Sequence, residues 1–200
     1  YIEDGLVKPI YKVSDLKLHN NIEDAKRYII FPYIKSKTGY ILIDEFEFSS
    51  HYPKTYNYLR LQKEELDARD KGKGTTQGWY AYGRTQGLNK YGRKLLFPTF
   101  ANKPKFMYID DESALFCNGY AVFENDKCDL DVLMKLLNSC LMDYYVSNTS
   151  YSIEGGYYCY QKKYVERFSI PRLTKEDITF IRSASNEELD NYLWNLYRLD

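Results

Sequence analysis

Hydrophobic and polar positions alternate over short distances in the first part of the chain, which is typical of half-buried strands. Residues 6–13 alternate in this way around Pro9, and the β-rich runs 27–32 and 40–44 lie on either side of Lys37-Thr38-Gly39. A short glycine-containing interval between two β-rich runs is a hairpin signal. The pattern therefore predicts an entering strand followed by a hairpin.

A helical period replaces the alternation near Pro53. From there to about Lys71, Tyr56, Leu59 and Leu66 share one face with Lys63 among otherwise charged positions, which predicts one helix. A glycine-rich segment follows and is incompatible with a long helix. Residues 95–98, 105–109 and 119–123 are strand-like again.

Helices dominate the last third. Asp129 is a candidate N-cap for a helix to about Val146, since a broad leucine-rich stripe follows it. A short helix is predicted within 160–168, and the capping-box patterns at Thr174 and Ser185 predict two more. The order of elements predicts an α+β fold: short, mostly antiparallel strands in the first two thirds packed with helices, and a helical C-terminal appendage. The predicted domains are residues 1–172 and 173–200.

Composition narrows the class of protein. The 200 residues are 44% hydrophobic and 28% charged, which excludes disorder, collagen and coiled coil. No run approaches 18 apolar residues, so no membrane partner is expected. Because the chain begins with Tyr1 and has no visible signal peptide, we expect a piece of a longer cytoplasmic protein.

Residues for catalysis or metal binding are sparse. The four cysteines form no C-x-x-C pair and lie far from His19 and His51, so neither zinc nor another metal is expected. Phosphate-loop, dinucleotide-binding and nucleophile-elbow motifs are absent from the sequence. The chain therefore has no predicted catalytic residue and is interpreted as a binding module.

Tyrosine is unusually frequent, at 22 residues. A tyrosine surplus often lies on a recognition surface, because the side chain is both apolar and polar. The alternative is a tyrosine-rich core whose hydroxyl groups are bonded at its edge.

The zero net charge hides an uneven distribution. Residues 71–109 hold eight basic side chains and no acidic one, residues 110–154 hold nine acidic and two basic, and residues 155–172 hold four basic and one acidic. The two basic segments also carry glycines and aromatic residues, a mixture that favours a groove for a polyanion. The alternative is a solvated basic loop that pairs with the acidic segment. We predict that the two basic segments converge on one face.

Ordered sequence blocks add a family resemblance. They are Lys8-Pro-Ile-Tyr-Lys-Val-Ser-Asp15, Tyr28-Ile-Ile-Phe-Pro-Tyr33, Tyr58-Leu59 with Leu66 and Arg69, Trp79-Tyr-Ala-Tyr-Gly-Arg84 with Gln86 and Leu88, Lys94-Leu-Leu-Phe-Pro98 with Phe106, Leu136-Leu-Asn-Ser-Cys-Leu141 with Tyr144-Tyr145, and Gly155-Gly-Tyr-Tyr-Cys-Tyr160 with Lys163-Tyr164 and Ile170-Pro171. With these blocks the chain resembles the C-terminal specificity domain of TaqI-type adenine-specific DNA methyltransferases. The same domain type occurs in Eco57I-class restriction–modification enzymes.

The resemblance implies a bacterial DNA target-recognition domain that grips double-stranded DNA and reads bases. The resemblance places the catalytic N-P-P-[YF] loop and the S-adenosylmethionine motifs in an N-terminal methyltransferase domain of the same, longer polypeptide. The 200 residues of this chain are therefore expected to hold no cofactor. The parent protein would be an adenine-specific methyltransferase, with or without a fused endonuclease. It would extrude an adenine from the duplex and methylate the exocyclic amine.

The family blocks coincide with the basic segments, and this overlap gives the candidate DNA-binding residues. They are Trp79, Tyr80, Arg84, Lys90, Arg93, Lys94, Gly155, Gly156, Tyr157, Lys162 and Lys163. Arg84 is the leading candidate because arginine binds guanine or phosphate bidentately, although it could instead buttress the glycine-rich turn. Lys162 and Lys163 are phosphate candidates. Residues such as Trp79 and Tyr80 more often pack internally than stack on bases. The two glycines suit a close backbone approach or a turn with positive φ.

Two other functions fit parts of the pattern. One is a protein-interaction module that uses a tyrosine-rich face, and the other is a carbohydrate-binding domain or hydrolase that stacks aromatic rings on sugar. Salt separates these from the first interpretation, since DNA binding weakens steeply with ionic strength and sugar stacking does not.

Overall fold

Short strands and short helices are interleaved in the computed structural model, which describes residues 2–72, 77–85, 87–127 and 129–199. Lys73, Gly74, Gln86 and Cys128 therefore lie outside the described residues. The described chain forms two compact units. The first unit consists of Tyr1–Ile10 and Arg27–Tyr91, and the second unit of Tyr11–Lys26 and Gly92–Asp200.

Eleven strands are present in the described residues. They are β1 (Val7–Lys12), β2 (Lys26–Ile30), β3 (Tyr33–Ser36), β4 (Gly39–Leu42), β5 (Lys94–Pro98), β6 (Phe100–Ala101), β7 (Met107–Ile109), β8 (Leu115–Cys117), β9 (Gly119–Phe123), β10 (Ser152–Ile153) and β11 (Tyr157–Cys159). The strands predicted at 6–13, 95–98, 105–109 and 119–123 correspond to β1, β5, β7 and β9.

Helices are equally short. Those in the described residues are α1 (Glu45–His51), α2 (Pro53–Leu61), α3 (Lys63–Asp67), α4 (Arg69–Gly72), α5 (Leu130–Leu137), α6 (Cys140–Thr149), α7 (Lys162–Val165), α8 (Lys175–Ser183) and α9 (Asn186–Leu196), together with 3-10 turns at Asp4–Leu6, Val13–Leu18 and Ile22–Ala25. The predicted α+β class is confirmed.

The predicted hairpin is present, but its first strand was wrongly assigned. Strands β3 and β4 pair antiparallel, with Ser36 opposite Gly39, so that Lys37 and Thr38 form the two-residue turn. The run 27–32 contributes β2, which pairs with β1 instead. The more polar residues 33–36 form the hairpin strand, and their pairing with β4 places buried Tyr33 opposite half-buried Leu42.

The helix predicted from Pro53 to Lys71 is broken into α2, α3 and α4, and α1 precedes it. Asp44 begins α1, since its carboxylate accepts from the backbone N–H groups of Phe46 at 2.9 Å and Glu47 at 3.4 Å. The backbone of Gln62, at φ −103° and ψ 11°, ends α2. Phe48 of α1 is fully buried with Leu6, Ile43 and Tyr80 in the core of the first unit.

Strand β5 lies at the centre of the second unit. It pairs antiparallel with β7 and β9, and all five of its residues are buried. Leu95 and Phe97 face a core formed with α5 and α6, whereas Leu96 faces a core that contains Val13 and Leu16. The strand is therefore covered on both faces, which explains its uninterrupted apolar run.

The helix predicted from Asp129 to Val146 is interrupted at Asn138, and the reason is a distant contact. The Asn138 side chain donates to the carbonyl of Phe106 and accepts from its N–H, both at 2.8 Å. Helix α6 then begins afresh, and the Cys140 N–H donates to Asp190 of α9 at 2.9 Å. The side-chain amide of Asn138 thus pairs with the backbone of Phe106 at the position where the helix ends.

Both predicted capping boxes are confirmed. Thr174 and Asp177 begin α8, and Ser185 and Glu188 begin α9, with reciprocal side-chain and backbone hydrogen bonds in each case. Ile181 and Leu193 of these helices are fully buried against α5 and α6 in the second unit. The domain boundary predicted after residue 172 stays a prediction.

Within the described part of the chain, no helix has the length and apolar character that a membrane crossing needs. The described cysteines, Cys117, Cys140 and Cys159, are free thiols. No group of three or more His, Cys, Asp or Glu side chains is placed to hold a metal ion among the described residues.

Helix α2 has an unusual cap from a residue far away in sequence. Glu3 accepts from the N–H groups of Lys54 at 2.9 Å and Thr55 at 2.8 Å, and also from the Thr55 hydroxyl. Burial opposes ionisation of Glu3, but these hydrogen bonds outweigh it and lower its pKa from 4.5 to about 2. Ionised Glu3 therefore stabilises the fold.

We expect Glu3→Gln to lower the free energy of unfolding by about 1 kcal/mol at neutral pH, the usual cost of losing a helix cap. Since the folded pKa is depressed, the stabilisation is complete above about pH 4.5 and is lost as the pH falls toward 2. Urea unfolding at a series of pH values measures this difference. Glu65→Gln, at an exposed position of α3, is the control, and equal losses in both variants would contradict the capping role.

Candidate nucleic-acid interface

The segment that carries Arg84 is fixed by another arginine. Arg69 of α4 donates from Nε to the carbonyl of Leu66 at 2.6 Å, and from its two terminal nitrogens to the carbonyls of Ala81 at 3.1 Å and Trp79 at 2.7 Å. One half-buried guanidinium thus joins the end of the preceding helix to residues 79–81. Arg69 is the buttress of this turn, a role that the sequence argument considered for Arg84.

Tyr80 points inward. Its side chain is 6% exposed, its ring lies 5.0 Å from that of Phe48, and its hydroxyl donates to the carbonyl of Ile43 at 2.6 Å. Burial raises the pKa of Tyr80 to about 12. The structure therefore corrects its assignment as a DNA-binding residue, because the ring belongs to the core of the first unit.

Trp79 is half-buried and tied to α1 and α2. Its indole N–H donates to Glu45 Oε1 at 2.9 Å, and its ring makes an edge contact with Tyr56 at 5.9 Å. The ammonium of Lys63 lies 5.5 Å from the Trp79 ring. These contacts give Trp79 a packing role and leave part of its side chain at the surface.

Other tyrosines also use their hydroxyl groups internally. The N–H of Tyr82 donates to the hydroxyl of Tyr33 at 2.6 Å, and the Tyr82 hydroxyl donates to the carbonyl of Ile30. The rings of Tyr33 and Tyr82 lie 5.0 Å apart. In the second unit Tyr160 is buried, with its hydroxyl 3.4 Å from Asp143. Core packing with bonded hydroxyls thus accounts for these tyrosines.

Arg84 and Lys90, in contrast to these internally packed tyrosines, have side chains at the surface. Both are exposed, and neither side chain makes a hydrogen bond or an ion pair with another residue in the described parts of the chain. The segment between them contains no acidic residue. These two cations are therefore available to an external anion.

Arg93 and Lys94 are already engaged. Arg93 forms a two-point ion pair with Glu124, in which Nε lies 2.9 Å from Oε2 and a terminal nitrogen contacts Oε1. This pair joins the basic segment to the acidic segment, as the alternative interpretation of the charge pattern required.

The structure corrects the assignment of Lys94 as a DNA-binding residue. Its side chain is fully buried, and its ammonium donates to the carbonyls of Asp111 and Glu112 at 3.0 Å and of Ala114 at 3.3 Å. Burial lowers the pKa of Lys94. A buried ammonium whose donors are used by three carbonyls is not available to a phosphate, so Lys94 fixes the 111–114 loop instead.

In the second unit, Gly155 and Gly156 lie in the exposed turn between β10 and β11. Their φ values of +86° and +74° confirm the predicted left-handed turn. Tyr157 follows, opposite Ile153 in the hairpin, with the ammonium of Lys17 5.0 Å from its ring. The absence of side chains at the turn leaves its backbone open to close approach.

Lys162 and Lys163 lie on the short helix α7, and both are exposed. Lys162 is 3.7 Å from Glu166 one turn later, and the ammonium of Lys163 is 4.7 Å from the ring centroid of Tyr164. An exposed pair such as Lys162–Glu166 is weak and readily exchanged for another partner.

The candidates thus fall into local groups: Arg84 and Lys90 in the first unit, and the glycine turn with α7 in the second. The predicted convergence of the two basic segments stays a prediction. A cleft of about 440 Å³ in the first unit was missed. It lies between the β3–β4 hairpin and the segment that carries Arg84, and the sequence feature that these two stretches share is the absence of acidic residues.

The two histidines do not form a nucleophile–base pair. His51 is 3.1 Å from Glu47 on the same helix, and His19 is 3.8 Å from Asp24. Within the described residues neither imidazole forms a hydrogen bond with a serine or cysteine side chain.

We expect Lys94→Gln to lower the free energy of unfolding by about 1–3 kcal/mol, because the shorter amide leaves buried carbonyls without donors. Lys90→Gln, at an exposed position of the same segment, should change it by less than about 0.5 kcal/mol. Urea unfolding of the two variants is the measurement. Equal stability of the variants would mean that Lys94 is not a buried structural cation.

Comparison of the sequence with known proteins identifies the family of the chain. The chain is 24% identical over 148 residues to the type II methyltransferase M.BanIII of Aneurinibacillus aneurinilyticus, a match that covers 72% of this chain and 21% of that protein. It is 22% identical over 195 residues to the type II restriction enzyme and methyltransferase RM.Eco57I of Escherichia coli, covering 88% and 19%. The chain thus spans about a fifth of each relative. The sequence model of the TaqI-like C-terminal specificity domain matches residues 43–170, more than half of the chain, and the chain therefore belongs to this domain family.

Proposed function

We propose that this chain is the DNA target-recognition domain of a site-specific, adenine-specific DNA methyltransferase. The observation that carries the proposal is membership in the TaqI-like specificity-domain family over residues 43–170. Both relatives are described as type II methyltransferases, and one is also a restriction enzyme. The matched region contains Arg84, Lys90 and the glycine turn.

The charge distribution supports binding of a polyanion. DNA carries a phosphate charge at every nucleotide, and lysine and arginine side chains neutralise it with release of counterions. Arg84 and Lys90 are exposed on an acid-free segment whose first residues, 79–81, are held by Arg69. A cation on a fixed support loses less conformational entropy when it binds than one on a mobile loop.

The residues would divide into two roles. Arg84 is proposed to read a base edge, because its planar guanidinium can donate two parallel hydrogen bonds to guanine. Lys90, Lys162 and Lys163 are proposed to contact phosphates, which position the duplex without reading its sequence. The backbone at Gly155 and Gly156 would approach the DNA closely, with Tyr157 beside it. Tyr80, Arg93 and Lys94 are left out of this set.

Methyl transfer would take place in another domain of the parent protein. That domain would bind S-adenosylmethionine and receive the adenine after its extrusion from the duplex, since the target amine is inaccessible within stacked base pairs. This chain would hold the flanking duplex during that step. Whether the parent also cleaves DNA is independent of this role.

The competing interpretations lose their main support. Both rested on a tyrosine-rich surface, whereas Tyr33, Tyr80, Tyr82 and Tyr160 pack internally with bonded hydroxyls. The strongly exposed tyrosines are spread along the chain: Tyr28, Tyr58, Tyr91, Tyr144 and Tyr151.

We expect Arg84→Ala in the full-length protein to weaken target binding by about 1–3 kcal/mol and to relax the sequence preference at one position. Lys90→Ala should weaken target and scrambled duplexes by the same factor and lower the salt slope by about one unit. The reason is that phosphates are the same at every step, whereas base edges differ. Titration of both duplexes at several salt concentrations measures these effects.

Lys175→Ala, at an exposed position of α8, is the matched control for loss of one positive charge. An Arg84→Ala variant with unchanged affinity and specificity would rule out the proposed role of Arg84. Absence of any salt-dependent duplex binding by the unmodified protein would contradict the proposed function as a whole.

We also expect the 200-residue chain alone not to bind S-adenosylmethionine, since its sequence lacks the motifs of the cofactor site. Calorimetric titration of the chain, with the full-length protein as the positive control, tests this. Tight stoichiometric binding by the chain alone would contradict its assignment as the recognition domain.

A further inference from the structure

The cleft in the first unit has two walls of different origin. The β3–β4 hairpin contributes Tyr33, Tyr40, Ile41 and Leu42, and the segment around Arg84 contributes Gln77, Thr85, Leu88 and Asn89. Its volume of about 440 Å³ is lined by aromatic, aliphatic and neutral polar side chains. The hairpin lies before the region matched by the family, which begins at residue 43.

A specific contact joins the walls. The backbone N–H of Tyr40 donates to Asn89 Oδ1 at 2.9 Å. Gly39 allows this approach, because a Cβ at its position would lie 2.4 Å from the same oxygen, and its φ is +124°. Asn89 therefore connects the turn of the hairpin to the segment between Arg84 and Lys90.

Exposed cations lie close in sequence to the lining residues of both walls. Lys35 lies on β3, and Lys37 lies in the hairpin turn. Because side chains alternate along a strand, Lys35 lies on the same face as Tyr33, which lines the cleft. On the opposite wall, Arg84 precedes the lining residue Thr85 and Lys90 follows the lining residue Asn89. Residues 33–42 and 77–91 contain no aspartate or glutamate.

We propose that this cleft binds one strand of DNA through its backbone, with Lys35 and Lys37 contacting phosphates from the side opposite Arg84 and Lys90. The inference rests on the proposed function and adds a second wall to the DNA surface. Lys35 and Lys37 are exposed and form no ion pair with other described residues, so a phosphate would displace no internal carboxylate. The ammonium of Lys35 lies 6.0 Å from the centroid of the Tyr91 ring, which leaves its donors free for a phosphate.

The dimensions of the hairpin suit a nucleic-acid strand. Its four-residue strands are roughly 13 Å long at 3.3 Å per residue, which corresponds to about four nucleotides of duplex at 3.4 Å each. Lysine is a point charge on a flexible stem, suited to phosphate contact rather than to base discrimination. The hairpin would therefore strengthen binding to all sequences alike.

The test is the double variant Lys35→Gln/Lys37→Gln in the full-length protein. We expect the salt slope of duplex binding to fall by about two units, at roughly 0.9 per phosphate contact. Affinity for target and scrambled duplexes should decrease by the same factor. The charge-matched control is Lys54→Gln/Lys175→Gln, whose positions are exposed and outside the cleft, and its slope should remain that of the unmodified protein.

Two further variants separate charge from folding. Lys35→Arg/Lys37→Arg keeps both charges and should retain the slope, whereas Lys37→Gln alone, at the exposed turn, should lower it by about one unit. Urea unfolding should give all variants the same midpoint. If the double glutamine variant is destabilised, the salt slope of Lys37→Gln decides whether the hairpin contacts phosphates.

A normal slope in Lys37→Gln and in a stably folded double variant would overturn the role of the hairpin and leave the proposed function intact. A fall of the same size in the charge-matched control would also overturn it, since net charge would then explain the effect. Absence of salt-dependent duplex binding by the unmodified protein would overturn both proposals.

Discussion

The guanidinium of Arg69 is the interaction on which the candidate surface depends. Its three hydrogen bonds join the end of the helices α2–α4 to the backbone of residues 79–81. Tyr80 anchors the same stretch to the core of the first unit, through its hydroxyl, which donates to Ile43, and its ring, which packs on Phe48. Arg84 follows shortly after this stretch, so the backbone that leads to it starts from a point fixed by internal hydrogen bonds. A planar donor with five N–H groups suits this task better than a lysine would.

The sequence predicted best those features whose causes are local. The capping boxes of α8 and α9 depend on residues three positions apart, and the strand β9 begins and ends where its apolar run does. The break between α5 and α6 could not be predicted in this way. Its cause is the pairing of Asn138 with Phe106, which lies 32 positions earlier. The same limit explains why the helix cap provided by Glu3, about 50 residues before α2, was missed.

Prediction of the candidate site was limited by burial rather than by residue type. Lys90 and Lys94 look alike in the sequence, yet one is exposed and the other is enclosed by three carbonyl groups of the 111–114 loop. Arg93, between them, is held by Glu124. The number of basic residues in the sequence therefore overstates how many of them are free to bind a ligand. The charge count also overlooked the hairpin lysines, because their segment carries few charges and its position beside Arg84 results from folding.

The division of the chain into units has a consequence for how the protein is made. The first unit combines residues 1–10 with 27–91, and the second combines 11–26 with 92–200. During synthesis the first unit can be complete once residue 91 has left the ribosome, whereas residues 11–26, although translated earlier, have their partners only in the residues that follow residue 91. Until then Val13 and Leu16, which are fully buried in the finished protein, lack their partner Leu96. The emerging chain would thus display a short apolar segment beside a folded unit, the kind of transient exposure that chaperones recognise.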